Sequence, residues 1–210
     1  MQRAIELNSS YATAYHWYGL LLSALGRFDE AIAAAKVACS LDPLSAIIGR
    51  DLGLVFYYAR QLDRAVEQYR NTLDFEPDFA QARQSLGRAY LDKGMYDEAI
   101  QEIEKADALA GSAVYTRAAL AQAYAVTGRI REAEKILSEM TARSQSSHVS
   151  PTSLAVIYTA LRDSRTALDW LEKAYVEHDT GLHTIKVHPI FDTLHSELRF
   201  QNLLRRMNLT

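Results

Sequence analysis

Apolar residues along this chain fall at helical spacing, and whole blocks of that pattern recur. Residues 25–43 read LGRFDEAIAAAKVACSLDP, and residues 94–109 read GMYDEAIQEIEKADAL. Each block holds a Gly, an aromatic two places on, Asp-Glu-Ala-Ile and a run of helix formers. Internal repetition has to be sought before any other feature, because it fixes the architecture. Gly26, Arg60, Gly94, Gly128 and Arg162 stand 34 residues apart each time.

Other columns keep the same period. Ala31, Ala65, Ala99, Ala133 and Ala167 form one. Leu22, Phe56, Tyr90, Tyr124 and Tyr158 form another, and Tyr18, Leu52, Leu86, Leu120 and Leu154 a third. A fourth column, Gly19, Gly53, Gly87, Ala121 and Ala155, is always small. Pro43 and Pro77 close the first two units, where later units have Gly111, Gln145 and Asp179. The columns predict pairs of antiparallel helices. The small residue lets the two helices of a pair approach closely, and the invariant Ala sits where the second crosses the first. Ala35, Tyr69, Ile103, Leu137 and Leu171 fill the space between them. The Gly or Arg column ends the first helix in a left-handed conformation. Acidic residues such as Asp29 and Glu30 then open the second helix, where they suit the dipole. Each pair is amphipathic and must stack on its neighbours to bury its apolar surface.

This period and small-residue pattern resemble the tetratricopeptide repeat (TPR). The resemblance implies an all-α, right-handed superhelical solenoid of five repeats, at residues 12–45, 46–79, 80–113, 114–147 and 148–179. Residues 1–11 hold AIELN in the register of a second helix, so the chain reads as opening inside a repeat of a longer protein. After Asp179 the register stops. In residues 180–210, Phe200, Leu203, Leu204 and Met207 keep helical spacing, which predicts a C-terminal capping helix. Pro189, Phe191, Leu194, Arg199, Phe200, Leu203, Leu204, Arg205 and Arg206 also resemble the end of TPR regions in bacterial regulators. That second resemblance implies a signalling or transcription protein with a winged-helix, kinase or cyclase part upstream.

Composition adds little to this and excludes much. A net charge of −3 gives no electrostatic case for nucleic acid or a membrane surface. No apolar run approaches the roughly 18 residues of a membrane span. The single Cys39 cannot form an internal disulfide and suits a reducing, cytoplasmic setting. No phosphate loop, nucleophile elbow or zinc motif occurs, so neither an enzyme nor a cofactor is expected. His178, His183, His188 and His195 are the one candidate metal set, but their spacing shares no helical face. Trp17 and Trp170 read as packing anchors, and Cys39 as a small packed residue with a reactive thiol as the alternative.

The first helix of each repeat is expected to line a concave groove. By resemblance, the candidate peptide-binding residues are Arg50, Leu54, Tyr57, Tyr58, Gln84, Arg88, Tyr115 and Gln122. Arg and Tyr dominate many interfaces, and Arg pairs well with carboxylates. The fifth unit is apolar and small, suited to packing the tail or an amphipathic helix. The expected function is a non-catalytic protein-interaction scaffold that binds a protein or peptide, or its own upstream domain. The competing expectations are self-association through the exposed N-terminal edge and a metal-binding or enzymatic role for the histidine-rich tail. The clamp that TPR domains use for chaperone C-termini is not reproduced: its places hold His16, Leu20, Asp51, Arg88 and Asp92, and the two Asp would repel a carboxylate. We therefore expect no tight binding of a chaperone-tail peptide. Calorimetry returning a micromolar or tighter complex would contradict this.

Overall fold

The computed structural model describes residues 1–143 and 149–209. Among them it contains α-helices and two 3-10 segments, with no strand. A short α1 (Gln2–Leu7) precedes four helix pairs: α2 (Ala12–Ala24) with α3 (Phe28–Leu41), α4 (Ala46–Tyr58) with α5 (Leu62–Phe75), α6 (Ala80–Asp92) with α7 (Tyr96–Leu109), and α8 (Val114–Val126) with α9 (Ile130–Arg143). The fifth pair is α10 (Pro151–Ala160) with α11 (Ser164–Val176). Two 3-10 segments follow, Thr180–Thr184 and Pro189–Leu194, and then α12 (Leu198–Arg206). The expected repeat end at Gln145 and the unit start at His148 lie outside the described residues. The helices of a pair pack on each other, and α2, α4, α6, α8 and α10 form a continuous ladder of first helices. The result is a superhelical solenoid. None of its helices among the described residues is long and apolar enough to cross a membrane.

The local rules read from the columns operate in each unit. Gly26, Arg60, Gly94, Gly128 and Arg162 all have positive φ, at 81°, 61°, 74°, 80° and 63°. The next residue's N–H then bonds back to the large apolar column, as from Gln61 N to Phe56 O at 2.9 Å and from Met95 N to Tyr90 O at 2.9 Å. That is the Schellman arrangement, which satisfies carbonyls the helix end would leave orphaned. Ala31, Ala65, Ala99, Ala133 and Ala167 are fully buried at the helix crossings. A Cβ at Gly53 would stand 2.5 Å from the Tyr69 ring, and one at Gly87 would stand 2.9 Å from Ala99 O. Close approach thus requires the glycines in the second and third pairs.

Two apolar cores result. One joins the first four units with Leu154 and Ile157 of α10. The other joins the fifth unit to the tail through Leu182, Ile185, Phe191, Leu194, Phe200, Leu203 and Leu204. Helix α12 covers α11, and its Arg199 and Arg206 pair with Asp169 and Glu172 at 2.9 and 2.7 Å. One sequence expectation needs correction. Trp17 is not a packing anchor, because it is 53% exposed. Leu21, one turn on, is 45% exposed. Their counterparts one unit later, Asp51 and Val55, are buried, since α2 covers the equivalent face of α4. Trp170 is half-buried between the two cores, as an anchor should be.

The Gly87→Ala variant should lose about 2 kcal/mol of stability, because its Cβ meets backbone that cannot swing away. Urea denaturation would measure this, and a wild-type midpoint would show that α6 and α7 can separate at no cost.

Candidate functional site

The inner surface is lined by the ladder of first helices, and the chain's own tail returns across it. The tail leaves α11 at Asp179, whose Oδ1 accepts from Gly181 N at 2.7 Å and from Thr152 Oγ1 at 3.1 Å. It then runs back toward the first unit. Lys186 Nζ reaches Leu25 O at 3.5 Å, and Arg60 donates to Val187 O at 2.9 Å. Arg60 also holds both Asp192 oxygens, at 2.7 and 2.9 Å. This fork is exposed on both sides, so it fixes register more than it adds stability. Stability comes from burial. Val187 enters the core of the first four units, and Ile185, Phe191 and Leu194 are almost wholly buried in the second core. Each such side chain contributes about 2 kcal/mol through lost apolar exposure.

The tail changes the status of the expected groove residues. Tyr57, Tyr58, Gln84 and Gln122 are buried, not open to a partner. Tyr57 and Tyr58 belong to the apolar core, and their rings lie 6.1 and 5.9 Å from that of His188. Gln84 Nε2 donates to Tyr115 O at 3.2 Å. Arg50, Leu54, Arg88 and Tyr115 stay half-buried, and Arg88 and Tyr115 border a cavity together with the tail. Arg50 pairs with Asp51 at 2.6 Å, and Asp51 in turn lies 2.6 Å from His16 Nε2. This buried chain of polar groups joins the first helices of units one and two. Asp51 thus faces a histidine, not solvent.

Three residues that the repeat pattern did not nominate hold the tail: Arg60, His188 and Asp192. Arg60 had a visible signal. It occupies a left-handed position otherwise suited to Gly, at a cost of about 1 kcal/mol, so its side chain needs another reason to be there. His188 is buried among Tyr57, Tyr58 and Phe191. Its Nδ1 accepts from Ile190 N at 3.3 Å and caps the second 3-10 segment. Burial pushes its pKa well below the usual histidine value, and the nearby Arg88 and Arg60 push it the same way. The other tail histidines are dispersed: His183 bonds to Thr180 O, and His195 packs 5.2 Å from the Phe200 ring. No group of three possible metal-binding side chains gathers among the described residues. Cys39 is half-buried and burial raises its pKa, with Asp42 adding to the effect, which disfavours a reactive thiolate.

The docked tail therefore requires neutral His188. At pH above about 6.5 both docked and released tails carry a neutral imidazole, and docking is at full strength. Below that value the released tail gains a proton that the docked tail refuses. Docking should weaken by up to tenfold per pH unit until the depressed value is reached. Hydrogen exchange of residues 180–195 at pH 7.5 and 5.0, corrected for intrinsic rates, should show faster opening at the lower pH. Equal protection would mean His188 is not the controlling group. His188→Asn keeps a capping side chain and should remove the pH dependence.

Comparison with known proteins agrees with this architecture. Three family models, each described as tetratricopeptide repeat, match residues 1–33, 50–113 and 114–139, together more than half of the chain. A thermophilic TPR protein of Thermus thermophilus superposes with a TM-score of 0.65 at 19% identity, covering 92% of this chain and 99% of that one. YrrB, a TPR protein with an unusual peptide-binding site, gives 0.52 at 22% identity over 87% and 94% of the two chains. MamA gives 0.53 at 19% identity over 83% and 86%. At these identities the structural likeness speaks to fold alone. Comparison with curated protein sequences returned no match. The repeat columns, the stacked helix pairs and the family matches agree: the chain belongs to the tetratricopeptide repeat family.

Proposed function

We propose that this chain is a non-catalytic interaction scaffold whose concave groove is partly filled by its own tail. A partner peptide then lies along the strip left open. The observation that carries this is the uneven burial of the groove. Tyr57, Tyr58 and Gln122 are closed off, while Arg50, Leu54, Arg88 and Tyr115 remain accessible beside Ile47, which is 55% exposed. Cations, an aromatic and an apolar side chain in one strip suit an extended segment with acidic and apolar residues. The tail offers a template, since the same groove already holds a carboxylate and a backbone carbonyl through Arg60. The peptide-binding site named for YrrB is consistent with such use of the fold. In this proposal the module serves a larger bacterial signalling or transcription protein, the setting that the tail's resemblance implies.

A second reading rests on a separate observation. Trp17 and Leu21 present a large apolar edge whose counterparts in later units are covered. Two copies meeting edge to edge would bury it. The Trp17→Glu and Leu21→Glu double variant should then sediment as a monomer under conditions where the wild type does not. A wild-type chain that is monomeric at high concentration would remove this reading.

Peptide-display selection against the folded chain tests the first reading. Enriched sequences should carry a carboxylate near an apolar residue. Arg50→Gln with Tyr115→Ala should weaken them at least tenfold while helical circular dichroism is retained. Enrichment that survives the double variant would overturn the groove assignment.

A further inference from the structure

Between the tail and the groove wall lies a cavity of about 200 Å³. Its polar frame consists of Gln84 and Arg88 of α6, Tyr115 of α8, Ser150 and Ser153 at the start of α10, and Thr184 of the tail. Among the described residues, no carboxylate lines it. Arg88 brings a permanent positive charge, and it is the least satisfied arginine of the groove. Arg50 is paired with Asp51, and Arg60 with Asp192. Arg88 makes no ion pair or hydrogen bond among the described residues, and its Nε is buried without an acceptor. Arg88 is half-buried, and the buried Nε lacks an acceptor that an anion in the cavity could supply.

The rest of the frame favours the same sign of ligand. Hydroxyls of Tyr115, Ser150 and Ser153 can rotate to donate, and that of Thr184 can do so by leaving its long bond to Gly181 O, at 3.4 Å. Helix α10 begins at this wall, with Ser150 as its cap accepting from Ser153 N, so the positive end of its dipole adds to the charge of Arg88. His188 also borders the cavity and is held neutral, partly by Arg88. Two carboxylates stand nearby without lining it. Asp179 turns Oδ1 to Thr152 and Gly181 and leaves Oδ2 buried without a partner, while Asp92 lies beside Tyr57 and is attracted by Arg88 without pairing with it.

We propose that this cavity binds a small oxyanion of the phosphate or carboxylate class, with Arg88 as its charge anchor. Walls from both the groove and the tail enclose it, so an occupied site ties the tail to the ladder of first helices. The anion is thus a ligand of the docked state and strengthens docking by mass action. The site does not depend on any protein partner, and its test uses the chain alone.

The intact chain should be titrated with sodium phosphate and with sodium acetate by isothermal calorimetry, at fixed ionic strength with chloride as control. Saturable binding of either anion, with slower hydrogen exchange in residues 180–195, is the expected result. Phosphate alone saturating assigns the phosphate class, and acetate alone the carboxylate class. Arg88→Met should abolish the binding. Should that variant lose helicity, Ser153→Ala with Thr184→Val should still weaken binding at least fivefold. No saturation beyond chloride, or undiminished binding in a folded Arg88→Met chain, would overturn the proposal. A chain that binds phosphate but selects no peptide leaves this site standing, and the reverse result leaves the peptide strip standing.

Discussion

A hairpin of two helices has more apolar surface than it can hide by itself. Everything else in this structure follows from how that surplus is covered. Within a unit, Gly53 and Gly87 let the paired helices close until Tyr69 and Ile103 fill the space a side chain would take. Between units, each first helix covers the next, so Val55, Ala89, Ala123 and Ile157 are buried while Leu21 is not. The last pair meets a different solution at its free side. Helix α12 lays Phe200, Leu203 and Leu204 against it and turns its arginines outward to acidic residues of α11.

The tail extends that solution to the inner surface, and there it meets polar groups as well as apolar ones. The first helices place buried or half-buried Arg50, Asp51, Gln84, Arg88 and Gln122 along one face. Some find partners across repeats, as in the link from His16 through Asp51 to Arg50. Others do not, among them Arg88 Nε and Gln122 Oε1. A core built only for stability would avoid such atoms, because each costs about 1–3 kcal/mol. Such atoms occur on the inner surface, as at Arg88 and Gln122, and also between paired helices, as at Tyr69 Oη.

The periodic part of the structure was legible because one physical rule is written five times. Left-handed termination can be read from Gly26 or Gly94 alone, and the column extends it to Arg60 and Arg162. The aperiodic part was legible in kind but not in place. The spacing of Phe200, Leu203 and Leu204 announced a capping helix. Nothing in the spacing of Leu182, Ile185 and Val187 told where a connecting segment would lie. Tyr57 and Tyr58 were nominated for the groove by position in the repeat, and they do face it. Their burial depends on a segment about 130 residues away that obeys no period, so no local pattern could foretell it. Trp17 failed for the complementary reason: its type and spacing are those of a core residue, but its burial depends on a neighbour beyond its own hairpin.

The hydrogen bond from Lys186 to Leu25 spans 161 residues, and the fork between Arg60 and Asp192 spans 132. A stack of repeats joined only to nearest neighbours behaves like a spring, in which end units fray and stretch independently of the middle. Here a strap runs from the last unit back to the first two. It turns the open spring into a loop closed on one side. Bending that opens the inner surface must lengthen the strap, whereas bending that closes it need not. The solenoid is therefore stiff in one direction and compliant in the other, and a force applied to its ends is borne by the inner surface before it reaches the repeats.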